Sequence, residues 1–128
     1  LDRLAGFDSE EKRGFYHPAG TVSFTEAVEL VRAAIAAARA NRLQQLLVDT
    51  TELHGFPSPD TFERFLAAVE WAEQASGGLR LAMVARPEMI DRDKFGVMVA
   101  RNRGLVSNIF PTEPEARAWL DAKWDWGS

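Results

Sequence analysis

The chain has 128 residues, 46% of them hydrophobic, and a net charge of −4 from 19 acids and 15 bases. A single domain of that size buries roughly two-thirds of its unfolded surface and needs no covalent staples. The absence of cysteine excludes disulfides, thiolate catalysis and cysteine-ligated metal, and the acidic balance argues against non-specific nucleic-acid binding, which rests on neutralising phosphates.

Residues 1–13 carry Asp2, Arg3, Asp8, Glu10, Glu11, Lys12 and Arg13 around the isolated apolar Leu4 and Phe7. They read as an N-terminal arm or an edge strand, and they lack the apolar stretch of a signal peptide. The chain starts at Leu1, so part of the natural N-terminus is expected to lie upstream. Residues 14–22, GFYHPAGTV, read as a strand interrupted by Pro18 and Gly20, because proline confines a strand to an edge or a bulge.

Ser23-Phe24-Thr25-Glu26 forms a capping box. The helix it opens is expected to run to about Asn41, with Leu30, Val31, Ala34, Ile35 and Ala38 on one face. Leu43 to Thr50 reads as a strand, and the unbroken Leu46-Leu47-Val48 suits a central position covered on both faces.

A second helix is expected from about Asp60 to Ser76, with Ser58 as N-cap, Pro59 at N1 and Gly77-Gly78 as the stop. Phe62, Phe65, Leu66 and Val69 read as its core stripe. Leu79 to Ala85 is a buried-type strand, after which Pro87 breaks the chain. Asp91 is placed to cap a third helix over about Arg92–Asn102, ended by Gly104. Leu105 to Phe110 is the last strand. Thr112-Glu113-Pro114-Glu115 is a second capping box, opening a helix with Ala116, Trp119 and Leu120.

Strands near 15–22, 43–50, 79–85 and 105–110 therefore alternate with four helices, over connections too long for hairpins. The expected fold class is α/β: one domain over residues 14–121, with a four- to five-stranded mixed, mostly parallel sheet covered by about four helices. Residues 122–128, with Trp124-Asp125-Trp126, form a C-terminal tail. No apolar run approaches the ~20 residues of a membrane span, and a cytoplasmic protein is expected.

The common catalytic and nucleotide-binding signatures are missing. There is no GxGxxG, no GxxxxGK[ST] and no GxSxG. The histidines, His17 and His54, lie far apart in sequence, and no complete catalytic constellation, metal site or cofactor site is legible. A phospho-aspartate receiver domain needs an acidic cluster after its first strand to hold Mg²⁺; here that strand ends in Ala19-Gly20-Thr21.

The most informative stretch is residues 46–60, LLVDTTELHGFPSPD, where a strand end, a small-residue loop and a helix start meet. In open α/β sheets, ligands and partners dock at such places. The element order and this stretch resemble the STAS domain of bacterial anti-sigma factor antagonists. Leu47-Val48-Asp49 looks like that family's strand end, Gly20 like its early glycine, and Ser58, nine residues past Asp49, falls at its phosphoacceptor position. The family reads Asp-Ser-Ser-Gly there, whereas this chain has Pro57-Ser58-Pro59-Asp60. The resemblance implies a regulatory protein-interaction module without turnover, switched by phosphorylation at Ser58, whose partner is a kinase-like anti-sigma factor.

The expected partner or ligand surface comprises Asp49, Thr50, Thr51, His54, Phe56, Ser58, Asp60, Arg64, Trp71 and Phe95. Asp49, Phe56 and Ser58 are expected in one depression at the carboxyl ends of the strands. Trp71 lies about 170° from the Phe62–Val69 stripe at roughly 100° per residue. It shares its face with Arg64, Ala67, Ala68 and Ala75, and that face suits a partner or a homodimer contact. The alternative function is binding of a small hydrophobic ligand or lipid. Phe95, Val97, Met98 and Val99 crowd the third helix and point to an apolar pocket beside Phe56.

Overall fold

A computed structural model describes residues 5–122. Trp124-Asp125-Trp126 and the charged start at Asp2 and Arg3 lie outside the described residues. Within them, strands and helices follow in the order β1 (Phe7–Glu10), β2 (Arg13–Tyr16), β3 (Ala19–Thr21), α1 (Phe24–Ala40), β4 (Gln45–Asp49), β5 (Glu52–His54), α2 (Thr61–Ala75), β6 (Arg80–Val84), α3 (Phe95–Asn102), β7 (Val106–Phe110) and α4 (Glu113–Asp121), with a 3₁₀ turn at Pro87–Met89. No helix among the described residues is long and apolar enough to cross a membrane.

The main sheet has the order β1-β2-β4-β6-β7. β1 pairs antiparallel with β2, and every other neighbour is parallel. The architecture is the expected α/β one, and residues 7–10 form an edge strand of the sheet. The 14–22 segment is two strands instead of one. Proline has no N–H to give a ladder, and the break falls at His17-Pro18. β2 stays in the main sheet, while β3 leaves it to pair in parallel with β5, an unforeseen strand, as a second sheet.

Side chains alternate across β4 and β6, so the sheet carries two cores. On one face Leu46, Val48 and Leu81 pack with Val31 and Ile35 of α1, Ala68 and Ala72 of α2, and Ala100 of α3. On the other, Leu47, Ala82 and Val84 pack with Ala116 and Leu120 of α4. At the far edge of that second core, buried Arg80 donates to the Trp119 carbonyl oxygen at 2.8 Å and lies over the Trp119 ring. Burial, and then the neighbouring Arg13, lower its pKa.

The capping box of α1 is formed as expected. Ser23 Oγ accepts from Glu26 N–H at 3.0 Å, and Glu26 Oε1 accepts from Ser23 N–H at 2.9 Å. At α4, Thr112 Oγ accepts from Glu115 N–H at 3.4 Å and donates to the Glu115 carboxylate at 2.7 Å. α3 starts later than expected, at Phe95, behind Lys94 in a left-handed conformation (φ 51). Asp91 still serves it, accepting from Phe95 N–H at 2.7 Å.

α2 is rotated relative to expectation. Its buried residues are Ala67, Ala68, Ala72 and Ala75, while Phe62 is 67% and Leu66 44% exposed. The reason is close approach. α2 packs against both α1 and α3, and small alanine side chains let the three helices share one sheet face.

Candidate functional site: an apolar cavity under the second and third helices

The carboxyl ends of β4 and β6 open onto two separate depressions, one on each face of the sheet. On the α1–α3 face lies a cavity of about 150 Å³ whose wall is overwhelmingly apolar. Phe24 and Val28 of α1, Ala67, Ala68 and Trp71 of α2, and Gly96, Val97 and Ala100 of α3 form its sides. Leu81, Met83 and Ile109 contribute the sheet floor, and Leu53, Phe56 and Met89 close the strand-end side.

Local chemistry holds this wall in place. Phe56 meets Phe24 edge-on, with centroids 5.8 Å apart. The turn that delivers Phe56 requires Gly55: its φ is +107, and a Cβ there would lie 2.5 Å from the Val22 carbonyl oxygen. Trp71 reaches across to α1 and donates its indole N–H to the Val28 carbonyl oxygen at 3.1 Å. At Gly96, α3 passes over Arg64 of α2, with a Cβ position 3.8 Å from the Arg64 carbonyl oxygen.

The charged groups bordering the cavity are held by protein partners. Arg64 donates to the Met89 carbonyl oxygen at 3.3 Å and to Ser58 Oγ at 2.9 Å. Arg86 donates to the Leu53 carbonyl oxygen at 2.8 Å and pairs with Glu88. Lys94 donates to Asn108 Oδ1 at 2.7 Å, and Asp91 accepts from Phe95 N–H. Thr50 donates its hydroxyl to the Val84 carbonyl oxygen at 2.9 Å.

The opposite depression is polar. His17, Asp49, Asp8 and Glu10 border it, with Glu113 and Arg117 from α4. Asp49 is buried, 7% exposed. Its Oδ1 accepts from Thr51 N–H at 2.9 Å and from Thr51 Oγ at 2.6 Å, and its Oδ2 lies 3.9 Å from His17 Nε2. Asp49 and Thr51 thus satisfy the loop that leaves β4. Among the described residues, no group of three or more His, Asp or Glu is placed to hold a metal ion.

The expected surface is therefore divided. Thr50, Phe56, Arg64 and Trp71 lie together on the apolar cavity, as does the third helix through Val97. Phe95 is partly buried at the start of α3, off that wall. Asp49 and Phe56 border different depressions, and Ser58 lines neither. Successive strand residues point to opposite faces, so Asp49 turns toward α4 while Thr50 turns toward the cavity. His54 is exposed at the end of β5, where its carbonyl oxygen accepts from Val22 N–H at 2.7 Å.

Ser58 is exposed and hydrogen-bonded to Arg64, and it is not the N-cap of α2. Asp60 is: its carboxylate accepts from Glu63 N–H at 2.8 Å, and Glu63 Oε1 accepts from Asp60 N–H at 2.9 Å. The Trp71 face turns toward the core instead: its alanines are buried and its indole is bonded to α1. Among the described residues, the exposed large apolar side chains are Phe62 and Leu66 on α2 and Met98, 56% exposed, on α3. Sequence reading missed Phe24, Met83, Met89 and Ile109 as wall residues, since Phe24, Met83 and Ile109 belong to elements that read as ordinary ones and Met89 lies just past the Pro87 break.

Compared with known proteins, the chain matches no protein-family model and no curated relative in sequence.

Proposed function

We propose that the chain is a non-catalytic binding domain for a small apolar molecule, held in the cavity between α2, α3 and the sheet. The observation that carries this reading is the cavity of about 150 Å³ with aromatic, methionine and aliphatic walls. Apolar cavities of that volume accept benzene-sized guests. Methionine and aromatic walls adapt to an apolar guest.

A thermal melt with and without saturating toluene tests this. A guest bound only by the folded state raises the midpoint, and tenfold excess over Kd contributes about 1.4 kcal/mol. A midpoint unchanged up to the solubility limit would remove the reading.

A second reading is the protein-interaction module implied by the STAS resemblance. It is supported by Phe62, Leu66 and Met98, exposed on two helices that pack on each other, since exposed apolar groups of this kind mark contact surfaces. The phosphorylation switch has weaker physical support. The Asp60 and Glu63 carboxylates already occupy the α2 N-terminus, so a phosphate on Ser58 would meet two negative neighbours beside the Arg64 guanidinium that Ser58 already binds. Affinity capture with the wild type and with a Phe62→Ser/Leu66→Ser variant tests this reading. A specific partner retained by the wild type alone supports it, and equal retention by both counts against it.

A further inference from the structure

The chemical class of the guest follows from which polar groups on the cavity wall are unused. We infer that the cavity takes an apolar molecule bearing one hydrogen-bonding group, and that the Ser107 hydroxyl reads that group; this rests on the ligand-binding reading above. Arg64, Arg86, Lys94 and Asp91 each already hold a protein partner. Arg86 Nε is nevertheless buried with no hydrogen-bond partner among the described residues, so its N–H is a further donor beside the cavity.

The wall has two hydroxyls, Thr50 and Ser107. Thr50 is committed to the Val84 carbonyl oxygen. Ser107 has no side-chain hydrogen bond to any of the described residues. Its direction follows from register. Ser107 is paired with Leu81 and Ile109 with Met83, and partners in a parallel ladder share a face. Leu81 and Met83 belong to the α1–α3 core, so Ser107 stands on the cavity floor. A single hydroxyl that both donates and accepts, set in an apolar floor, distinguishes a hydroxylated or carbonyl-bearing guest from a hydrocarbon of the same shape.

Phenol and toluene are a matched pair, differing by hydroxyl against methyl. Both are titrated into the wild type, Ser107→Ala and Ser107→Thr, with the Trp71 indole N–H as the NMR reporter. In Ser107→Ala, phenol should weaken roughly three- to tenfold, the worth of one neutral hydrogen bond. Toluene affinity should hold, and Ser107→Thr should restore phenol. If Ser107→Ala moves both ligands equally or neither, the assignment to Ser107 is wrong while the cavity reading stands. If neither ligand binds the wild type, the cavity reading and this inference fall together.

Discussion

The indole N–H of Trp71 on α2 donates to the Val28 carbonyl oxygen on α1 at 3.1 Å. This one bond ties together two helices that stand on the same sheet face and fixes the Trp71 ring as a wall of the cavity. Trp71→Phe keeps most of the ring volume and deletes the donor. The expected cost is about 1 kcal/mol, read as a lower urea midpoint with an unchanged slope. Trp71→Ala should cost about 2–4 kcal/mol, because a large partly buried side chain is lost from a packed wall. Neutral behaviour of both variants would mean that α1 and α2 are held elsewhere.

The start of α2 depends on Asp60 and not on Ser58. Asp60→Ala removes the side chain that accepts from Glu63 N–H and should destabilise by about 1 kcal/mol. Ser58→Ala removes one exposed bond from Arg64 and should stay within about 0.5 kcal/mol of wild type. Chemical denaturation of the two variants side by side checks the order. The reverse order would restore Ser58 as the cap.

The cap of α1 should be visible in the acid limb of stability. The Glu26 carboxyl is held below its ordinary 4.5, first by the backbone N–H of Ser23 and then by the Ser23 side chain. With the folded pKa lowered, the unfolded chain takes up the proton first as pH falls. The contribution is therefore present above about pH 4.5 and is lost as pH drops through the lower folded value. Glu26→Gln, which keeps an acceptor and removes the titration, should flatten this part of the pH–stability curve. Parallel curves for wild type and variant between pH 3 and 6 would contradict the assignment.

Most of the architecture was legible because its signals are local. The Ser23–Glu26 box, the Leu46-Leu47-Val48 run and the glycine stops place α1, β4 and the helix ends to within a few residues. Two misreadings came from interactions that sequence patterning does not carry. The stripe Phe62, Phe65, Leu66 and Val69 of α2 reads as its core face, yet the helix buries Ala67, Ala68, Ala72 and Ala75. A helix packed between two others inverts the usual pattern. The Asp49–Phe56–Ser58 cluster failed on parity, since Asp49 pairs with Val84 and shares its α4-side face, whereas Phe56 packs on Phe24 beside α1. Parity was legible, as was the Asp60-x-x-Glu63 box that outcompetes Ser58. Other features were not. Ser107 looked like any strand serine until the register set it beside Leu81, and the β3–β5 pairing exists only once Pro18 has turned the chain out of the main sheet.

The central claim is that the space between α2, α3 and the sheet holds a small apolar guest. A two-dimensional amide NMR titration of toluene into the wild type and Val97→Trp tests it most directly, with folding of the variant read from the same spectra. Val97 lines the cavity, and an indole there fills much of the volume. The account predicts saturable shifts in the wild type that centre on Trp71, Met83, Val97 and Met89, and none in Val97→Trp. Shifts that do not saturate, or that persist unchanged in the filled variant, would contradict it.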